Sequence, residues 1–356
     1  MKITSFGGIA LAAALALTGC AANEGASSSS TAAASTLAGK GSSAMAAAQQ
    51  KWIADYQSKN PGVTINYSPD GSGAGRDGFA SGAVAFAGSD RAYNDAEMGA
   101  GKFARCTKDS NALNLPVYIS PIAVIFKVDG VKSLKLDADT LAGIFAGKIT
   151  SWDDPAIAKL NPGVTFPKAN ITAVHRSDDS GTSQNFTDYL AQTAPAVWTE
   201  PASGTWPAAF GGEAAKGTSG VVDAVSSGMN TIGYADESQA GTLGKADLKV
   251  GSQFLKPTAD AAAKIVDASK QVAGRSEHDL ALVLNRKAEG VYPAVLVSYA
   301  LVCEKYADSK DAALVKGYLG YVASAEGQSS AQQAAGSAPL SSAMQAKVAA
   351  AIASIS

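Results

Sequence analysis

The sequence predicts an α/β fold divided into two domains. Apolar runs rich in β-branched residues alternate with stretches of helical composition, and this alternation favours a largely parallel sheet. The folded part, about 37–356, has roughly 320 residues, which is long for one core and suits two. Turns rich in Gly, Ser and Thr fall where strands pass into helices. Because open α/β sheets bind ligands at such ends, the functional site is expected there.

The first residues have the composition of an export signal. Lys2 supplies a positive charge, and the apolar run over 9–17 is well short of the ~20 residues that a membrane-spanning helix needs. Leu17-Thr18-Gly19-Cys20 resembles the lipobox of bacterial lipoproteins, in which the cysteine is lipidated and becomes the new N-terminus. An ordinary signal with a chance cysteine is the alternative.

These features predict a tethered protein. We expect a signal peptide over 1–19, a lipidated Cys20, and a flexible tether over 20–36 made almost entirely of Ala, Ser, Thr and Gly. A segment of that composition cannot build an apolar core. The predicted location is extracytoplasmic, with the folded part anchored to the cell membrane by the N-terminal lipid.

Charge and cysteine content limit the partners. The formal net charge is −2, and it becomes −3 once Lys2 leaves with the signal, which argues against nucleic acid as a partner. A local site can still oppose the net charge and bind an anion. After Cys20, the cysteines are Cys106 and Cys303. Two cysteines in an exported chain indicate one disulfide, with two separate buried thiols as the alternative. The sequence shows no metal-ligand spacing, so no metal and no cofactor are expected.

The periodicity of apolar residues places the main elements. The sequence predicts strands over 63–67, 83–87, 117–126 and 171–174. It predicts helices over 44–58, 139–145, 184–191, 221–227, 311–324 and 340–355. Four polar turns lie between these elements, over 39–43, 70–75, 179–183 and 216–220. One such turn is a helix cap, but several that converge would cradle an anion with backbone N–H groups, hydroxyls and helix dipoles.

The segment 176–183, Arg-Ser-Asp-Asp-Ser-Gly-Thr-Ser, carries the most chemistry. It follows a predicted strand and precedes a predicted helix. Arg176 suits a tetrahedral anion because its guanidinium is a fixed fork of donors. The alternative is a capped helix with a surface Arg–Asp pair.

One motif suggests a different ligand. Gly73-Ala74-Gly75-Arg76-Asp77-Gly78 matches the G-x-G-x-x-G fingerprint of dinucleotide-binding folds. The match is weak in a chain with 36 glycines, and no clear amphipathic helix follows Gly78. We therefore expect backbone donors that meet an anion here, and no dinucleotide.

Five motifs occur in register between about residue 37 and the C-terminus. They are Lys51-Trp52 after the first turn, the Gly71-Ser72-Gly73 turn, 86–90 (Phe-Ala-Gly-Ser-Asp), 147–163 and 176–183. Together they resemble one family, the phosphate-binding lipoprotein of the bacterial Pst ABC transporter. The resemblance implies a protein that binds inorganic phosphate and passes it to a permease and ATPase complex. It also implies a monomer that is not an enzyme.

The resemblance implies a set of phosphate contacts, carried over position by position. They are Ser43, Ala44, Ser72, Asp90, Arg176, Asp178, Ser180, Gly181 and Thr182. Asp178 would fix the guanidinium of Arg176 and offset its charge. The family often has Thr-Phe where this chain has Ser43-Ala44, so an aromatic ring is lost at the edge of the cleft.

Asp90 is predicted to set the selectivity. A carboxylate can accept a hydrogen bond from the O–H of phosphate, whereas sulfate has no proton and would leave the carboxylate unpaired. Arsenate and phosphonates carry such a proton and are the alternative ligands.

The fold implied by the resemblance is the two-lobed, type II periplasmic-binding-protein fold, each lobe a sheet flanked by helices. Lobe 1 would comprise 37–117 plus 294–356, and lobe 2 would comprise 118–293. Crossover strands near 117–122 and 295–299 would form the hinge. Cys106 and Cys303 then fall in the same lobe, which supports the disulfide.

A hydrolase is the competing class. His175, Ser180 and nearby aspartates could be arranged as a serine hydrolase, but no G-x-S-x-G surrounds Ser180. His175 also precedes Arg176 in a predicted strand, so the two side chains point to opposite faces. A surface adhesin with a vestigial cleft is a further alternative.

Overall fold

The computed structural model describes residues 35–356. The predicted signal peptide and the predicted lipid attachment at Cys20 lie outside the described residues, as does nearly all of the predicted tether. Within 35–356, no helix combines the length and the apolar character that crossing a bilayer requires.

Between residues 35 and 356 the chain forms fourteen strands. They are β1 (Ser35–Gly41), β2 (Val63–Ser68), β3 (Phe86–Ser89), β4 (Ala112–Lys127), β5 (Lys135–Leu136), β6 (Thr172–Arg176), β7 (Glu213–Ala215), β8 (Thr231–Asp236), β9 (Gly244–Lys245), β10 (Asp247–Val250), β11 (Gln253–Leu255), β12 (Lys270–Gln271), β13 (Leu282–Val283) and β14 (Val295–Cys303). The four predicted strands are present with shifted bounds, because β3 starts at Phe86 rather than 83 and β4 starts at Ala112 rather than 117.

The same residues form ten α-helices and a short 3₁₀ helix, Glu237–Gln239. The α-helices are α1 (Ala46–Lys59), α2 (Ser72–Ala80), α3 (Ala138–Phe145), α4 (Pro155–Leu160), α5 (Gly181–Thr193), α6 (Gly217–Ser227), α7 (Ala259–Asp267), α8 (Ser309–Val322), α9 (Ala325–Ala335) and α10 (Ser342–Ser354). The helices α5 and α6 start earlier than predicted, so their first turns include the polar residues that the sequence assigns to turns.

Nine strands form the main sheet in the order β2-β1-β3-β14-β4-β8-β6-β7, with β9 beside β4. β1 is parallel to β2 and β3, and β6 is parallel to β7 and β8. The prediction of a largely parallel sheet is wrong for the middle, where β14 and β4 make antiparallel pairs. The reason is that β14 returns from the far end of the chain and runs opposite to its neighbours. The sheets β11-β10-β5 and β12-β13 are small.

β4 runs through two parts of the main sheet. Its residues 112–121 pair with β14, and its residues 122–127 pair with β8. We call the strands β1, β2, β3 and β14 the first half-sheet, and β6, β7 and β8 the second half-sheet. Along β4 every residue except Lys127 is buried, as an apolar run covered on both faces should be. The predicted lobe boundaries at 117/118 and 293/294 fall near this crossing and remain a prediction.

Segments from both ends of the chain build the region around the first half-sheet. The indole nitrogen of Trp52 on α1 donates to the carbonyl of Gly327 on α9 at 2.6 Å. The amide of Gln328 donates to the carbonyl of Val117 on β4 at 3.0 Å. The Cys106–Cys303 disulfide joins Cα atoms 5.3 Å apart across 197 positions of sequence. It confirms the predicted pairing and excludes the two-thiol alternative.

Candidate anion-binding site

Four helices begin close together. α1, α2, α5 and α6 each start at one of the polar turns, and hydrogen bonds join these turns. The N–H of Gly73 donates to the carbonyl of Asp179 at 2.9 Å, and the N–H of Gly217 donates to Oδ1 of Asp178 at 3.1 Å. Because helix N-termini carry free N–H groups and the positive end of the dipole, this convergence suits an anion.

Arg176 is the buried cation of this region. Its side chain is 2% exposed, and its Nε and one Nη nitrogen donate to the two carboxylate oxygens of Asp178 at 2.8 and 2.5 Å. Burial alone would raise the pKa of Asp178, but hydrogen bonds and charge from Arg176 bring that pKa below its ordinary value. The pair fixes the plane of the guanidinium.

Asp90 lies directly after β3 and has different neighbours. Its Oδ1 accepts from the hydroxyl of Ser298 at 2.8 Å, and its Oδ2 accepts from the hydroxyl of Thr182 at 3.3 Å. Burial raises the pKa of Asp90, while hydrogen bonds from Ser42 and Ser298 and the charge of Arg176 oppose that rise. Asp90 is therefore a buried carboxyl group that can share a proton with a ligand.

Gly181 lets the start of α5 approach the first half-sheet. A Cβ atom at this position would lie 2.6 Å from the Cβ of Asp90 and 2.6 Å from the hydroxyl of Ser72. The Ser72 hydroxyl accepts from the N–H of Asp90 at 3.0 Å, and the amide of Asn185 donates to the Asp90 carbonyl at 2.5 Å. Only glycine allows this contact between the loop after β3 and the helix of the second half-sheet.

The first polar turn, 39–43, contacts the fourth polar turn, 216–220. The hydroxyl of Ser43 accepts from the N–H of Thr218 at 3.1 Å and shares a hydrogen bond with the Thr218 hydroxyl at 3.0 Å. The N–H of Ala44 donates to the hydroxyl of Ser42 at 3.1 Å. Both Ser43 and Ala44 are buried. The two predicted donors of this turn are thus paired with protein groups in this structure.

Ser180 and Thr182 lie at the start of α5. The hydroxyl of Ser180 caps the helix by accepting from the N–H of Ser183 at 3.2 Å, and its own hydrogen stays available for donation. Thr182 reaches Asp90, as described above. The structure therefore brings the nine predicted residues into one connected region, in which all but the partly exposed Asp178 are buried.

The sequence analysis did not name four residues of this region: Ser42, Asn185, Thr218 and Ser298. Thr218 lies in the fourth polar turn, so that turn already pointed to it. Ser298 is the one serine in the buried, largely apolar run of β14, and an isolated small polar residue in such a strand is a signal that sequence analysis can use. Ser42 lies in the first polar turn, so that turn likewise pointed to it, whereas the role of Asn185 in holding the Asp90 loop depends on a contact distant in sequence.

The G-x-G-x-x-G motif forms part of α2 instead of a nucleotide loop. Arg76 from this motif is 3% exposed and donates to the carboxylate of Asp179 at 2.7 Å and to the hydroxyl of Ser89 at 3.2 Å. A Cβ atom at Gly75 would lie 2.7 Å from the Cα of Gly41. The glycines therefore serve close packing, and the arginine braces the 176–183 segment.

His175 faces away from the site hydroxyls. Its ring stacks on Trp206 with centroids 4.6 Å apart, and its Nδ1 shares a hydrogen bond with the carbonyl of Arg176 at 3.0 Å. Burial lowers the pKa of His175. Among residues 35–356, no three or more His, Cys, Asp and Glu side chains are grouped so that they could hold a metal ion.

The fold and the buried polar cleft define a binding protein of the periplasmic-binding-protein class. A model of the PBP superfamily domain matches residues 26–326. Phosphate-binding protein PstS 3 of Mycobacterium leprae is 36% identical over 290 residues, covering 80% of this chain and 78% of that protein. Phosphate-binding protein PstS 3 of Mycobacterium tuberculosis is 34% identical over 341 residues, covering 90% of each chain. This chain belongs to the family of PstS phosphate-binding proteins.

Solved structures agree on the fold. The phosphate-binding protein of Stenotrophomonas maltophilia superposes with a TM-score of 0.69 at 20% identity, covering 89% of this chain and 94% of that chain. A periplasmic phosphate-binding protein with bound phosphate, PfluDING, superposes with a TM-score of 0.71 at 22% identity, covering 88% and 93%. The predicted α/β periplasmic-binding-protein fold is confirmed.

Proposed function

We propose that this protein captures inorganic phosphate in the buried cleft and delivers it to an ABC importer. The observation that carries the proposal is the joint placement of Arg176 and Asp90 among four helix N-termini. The first supplies positive charge to an oxyanion, and the second supplies an acceptor for a proton on that anion. Family membership supports the same ligand, since the relatives are phosphate-binding proteins.

The charges in the cleft favour a protonated anion. Arg176 is largely offset by Asp178, and Asp90 adds a further carboxyl group, so neutral donors must stabilise most of the ligand charge. Phosphate near neutral pH carries at least one proton. That proton can lie between the ligand and Asp90, whose raised pKa eases the sharing.

Sulfate would meet the same carboxylate without a proton. It would leave a buried acceptor facing negative charge, and sites with such unpaired groups discriminate by about 10⁴-fold or more. Arsenate carries protons as phosphate does, so the same argument places it with phosphate.

The proposed mechanism uses two lobes, 37–117 plus 294–356 and 118–293. The Asp90 loop and the first two turns belong to lobe 1, and the segment with Arg176 belongs to lobe 2. Contacts such as Thr182 to Asp90 and Thr218 to Ser43 support closure around the anion. Since the ligand gains its full set of donors only when both lobes meet, it favours the closed form.

The proposed location is outside the cell membrane, with the protein held by a lipid on Cys20 and working as a monomer beside a permease and ATPase complex. The lipobox-like sequence supports the anchor. Mass spectrometry of the membrane-extracted protein tests it, because Cys20→Ala should remove the lipid mass and release the protein from membranes.

Calorimetric titration of the full-length protein, freed of carried-over ligand, tests the ligand. We expect tight one-to-one binding of phosphate and no heat with sulfate. Arsenate forms a third arm, in which binding close to that of phosphate is expected. Absence of phosphate binding would overturn the proposed function and would not affect the assignment of the fold.

A further inference from the structure

We propose that Gln239 is a positioning residue of this anion site. From the 3₁₀ helix after β8, it reaches across to the first polar turn and holds the main chain of Ser43 and Ala44. The inference rests on the phosphate-binding function proposed above and adds a residue outside the predicted contact set.

The side-chain amide of Gln239 uses both of its hydrogens. Its Nε2 lies 2.9 Å from the carbonyl oxygen of Ser43 and 2.9 Å from that of Ala44. These carbonyls precede α1, whose ladder begins where the N–H of Gln49 donates to the Met45 carbonyl at 2.9 Å. Gln239 therefore satisfies two carbonyls of a buried turn that the helix itself does not.

Holding a carbonyl also fixes the N–H on the other side of the same peptide. The peptide plane is rigid and trans, so the Ser43 carbonyl and the Ala44 N–H point in opposite directions. The next plane relates the Ala44 carbonyl to the Met45 N–H in the same way. Those two N–H groups lie 3.1 and 3.5 Å from the hydroxyl of Ser42. Gln239 thus sets the direction of the two N–H groups that hold the Ser42 hydroxyl beside the site.

Hydrogen bonds that begin at Tyr118 on β4 fix the main chain around Gln239. Oδ1 of Asp236 accepts from the N–H of Ser238 at 3.0 Å and caps the 3₁₀ helix. The hydroxyl of Tyr118, on β4, donates to the two carboxylate oxygens of Asp236 at 3.2 and 3.1 Å. A continuous set of contacts therefore runs from the crossing strand to the first turn. Without Gln239, the first turn would still be held by the hydrogen bonds between Ser43 and Thr218 on α6.

Substitution Gln239→Leu tests the inference, because it removes both donors at similar size. We expect phosphate Kd to rise about 10- to 100-fold, as for two lost hydrogen bonds, mainly through faster release. The preference for phosphate over sulfate should stay unchanged, since Asp90 is untouched. Titration calorimetry gives Kd, and rapid filtration after dilution of radiolabelled phosphate gives the release rate.

The matched control is Gln345→Leu. Gln345 also donates its amide to a main-chain carbonyl, that of Ala323, at 2.8 Å, but it lies on α10. This variant should lose some thermal stability and keep the wild-type phosphate Kd.

Gln239→Glu is the second variant, and it tests the positioning role of Gln239 even if Gln239→Leu fails to fold. Its ionised carboxylate cannot donate and faces two carbonyls, whereas its protonated form donates one hydrogen. Its loss of affinity relative to wild type should shrink between pH 7.5 and pH 4.5, which a purely structural role would not produce.

Wild-type Kd and release rate in both Gln239 variants would overturn the inference. Failure of the wild-type protein to bind phosphate would instead overturn the proposed function, and the inference with it. The wild-type arm separates these two results.

Discussion

The two carboxylates beside the proposed ligand differ in what surrounds them. Asp178 is paired through both oxygens with Arg176, which brings its pKa below the ordinary value despite burial. Asp90 receives hydroxyl groups, and burial raises its pKa. One carboxylate therefore offsets a cation and stays ionised, while the other can take part in proton sharing. The difference supports the proposal that a cleft with little net positive charge selects an anion by its proton.

Removing the cation should have the largest effect on this arrangement. In Arg176→Ala, the largely buried Asp178 loses the guanidinium and faces the anion, and breaking a buried pair costs about 3–5 kcal/mol. We expect phosphate affinity to fall about 10³-fold in calorimetric titration.

The control is Arg105→Ala, which breaks a partly buried ion pair with Asp311 on α8, 2.5 Å apart. It should leave phosphate affinity unchanged. Near wild-type affinity in Arg176→Ala would show that the helix N-termini alone hold the anion.

Substitution of the other carboxylate should change selectivity. In Asp90→Asn, the side chain keeps its shape but can donate to an unprotonated anion. We expect the ratio of sulfate Kd to phosphate Kd to fall about 100-fold, measured by paired titrations at one pH.

The control here is Asp55→Asn. Asp55 lies in the C-terminal half of α1, and its carboxylate accepts hydrogen bonds from Lys51 and Ser330. Its ratio should match that of the wild type. An unchanged ratio in Asp90→Asn would contradict the proton-sharing role.

Asp178→Asn should have a smaller effect on binding. Arg176 keeps one acceptor but loses the bidentate pair, so phosphate affinity should fall about 10-fold while the phosphate-to-sulfate preference stays high. Because the folded pKa of Asp178 is lowered, its ion pair stabilises the fold at neutral pH and this contribution is lost as pH falls through that pKa. Melting temperatures of wild type and variant should therefore converge at acid pH. Divergence there would contradict the assignment.

A third buried carboxylate sharpens the comparison. Asp236 is fully buried, and burial raises its pKa to about 7. An acid with a raised folded pKa destabilises the fold when it ionises, so its cost is absent at low pH and grows as pH rises toward 7. Relative to Asp236→Asn, the wild type should lose about 3 kcal/mol of unfolding free energy between pH 4.5 and 7.5 in urea titrations. The exposed Asp223→Asn is the control and should show no such trend.

Local sequence signals predicted much of the site. Arg176, Asp178 and the hydroxyls after them form a dense polar segment between a strand and a helix, and each polar turn proved to be a helix start. The reason is that helix capping is a local property, set by residues within one turn of each other. The disulfide was predictable because two cysteines leave a single possible pairing.

Contacts between distant segments were not predictable. Gln239 sits in a three-residue 3₁₀ helix, and nothing near it in sequence indicates that it meets Ser43. The antiparallel middle of the sheet was missed for the same reason, since β14 inserts between β3 and β4 from the end of the chain. Helix α9 was also missed, because its short apolar residues give a weak periodicity.

The position of β14 has a consequence for biosynthesis. It fills the gap between β3 and β4, yet it is translated after every strand of the second half-sheet. A nascent polypeptide therefore completes its second half-sheet first and leaves two strand edges open until residues 295–303 emerge. We expect chains that stop before Val295 to be cut readily by proteases within residues 35–121, although most of the strands of that region have already been made.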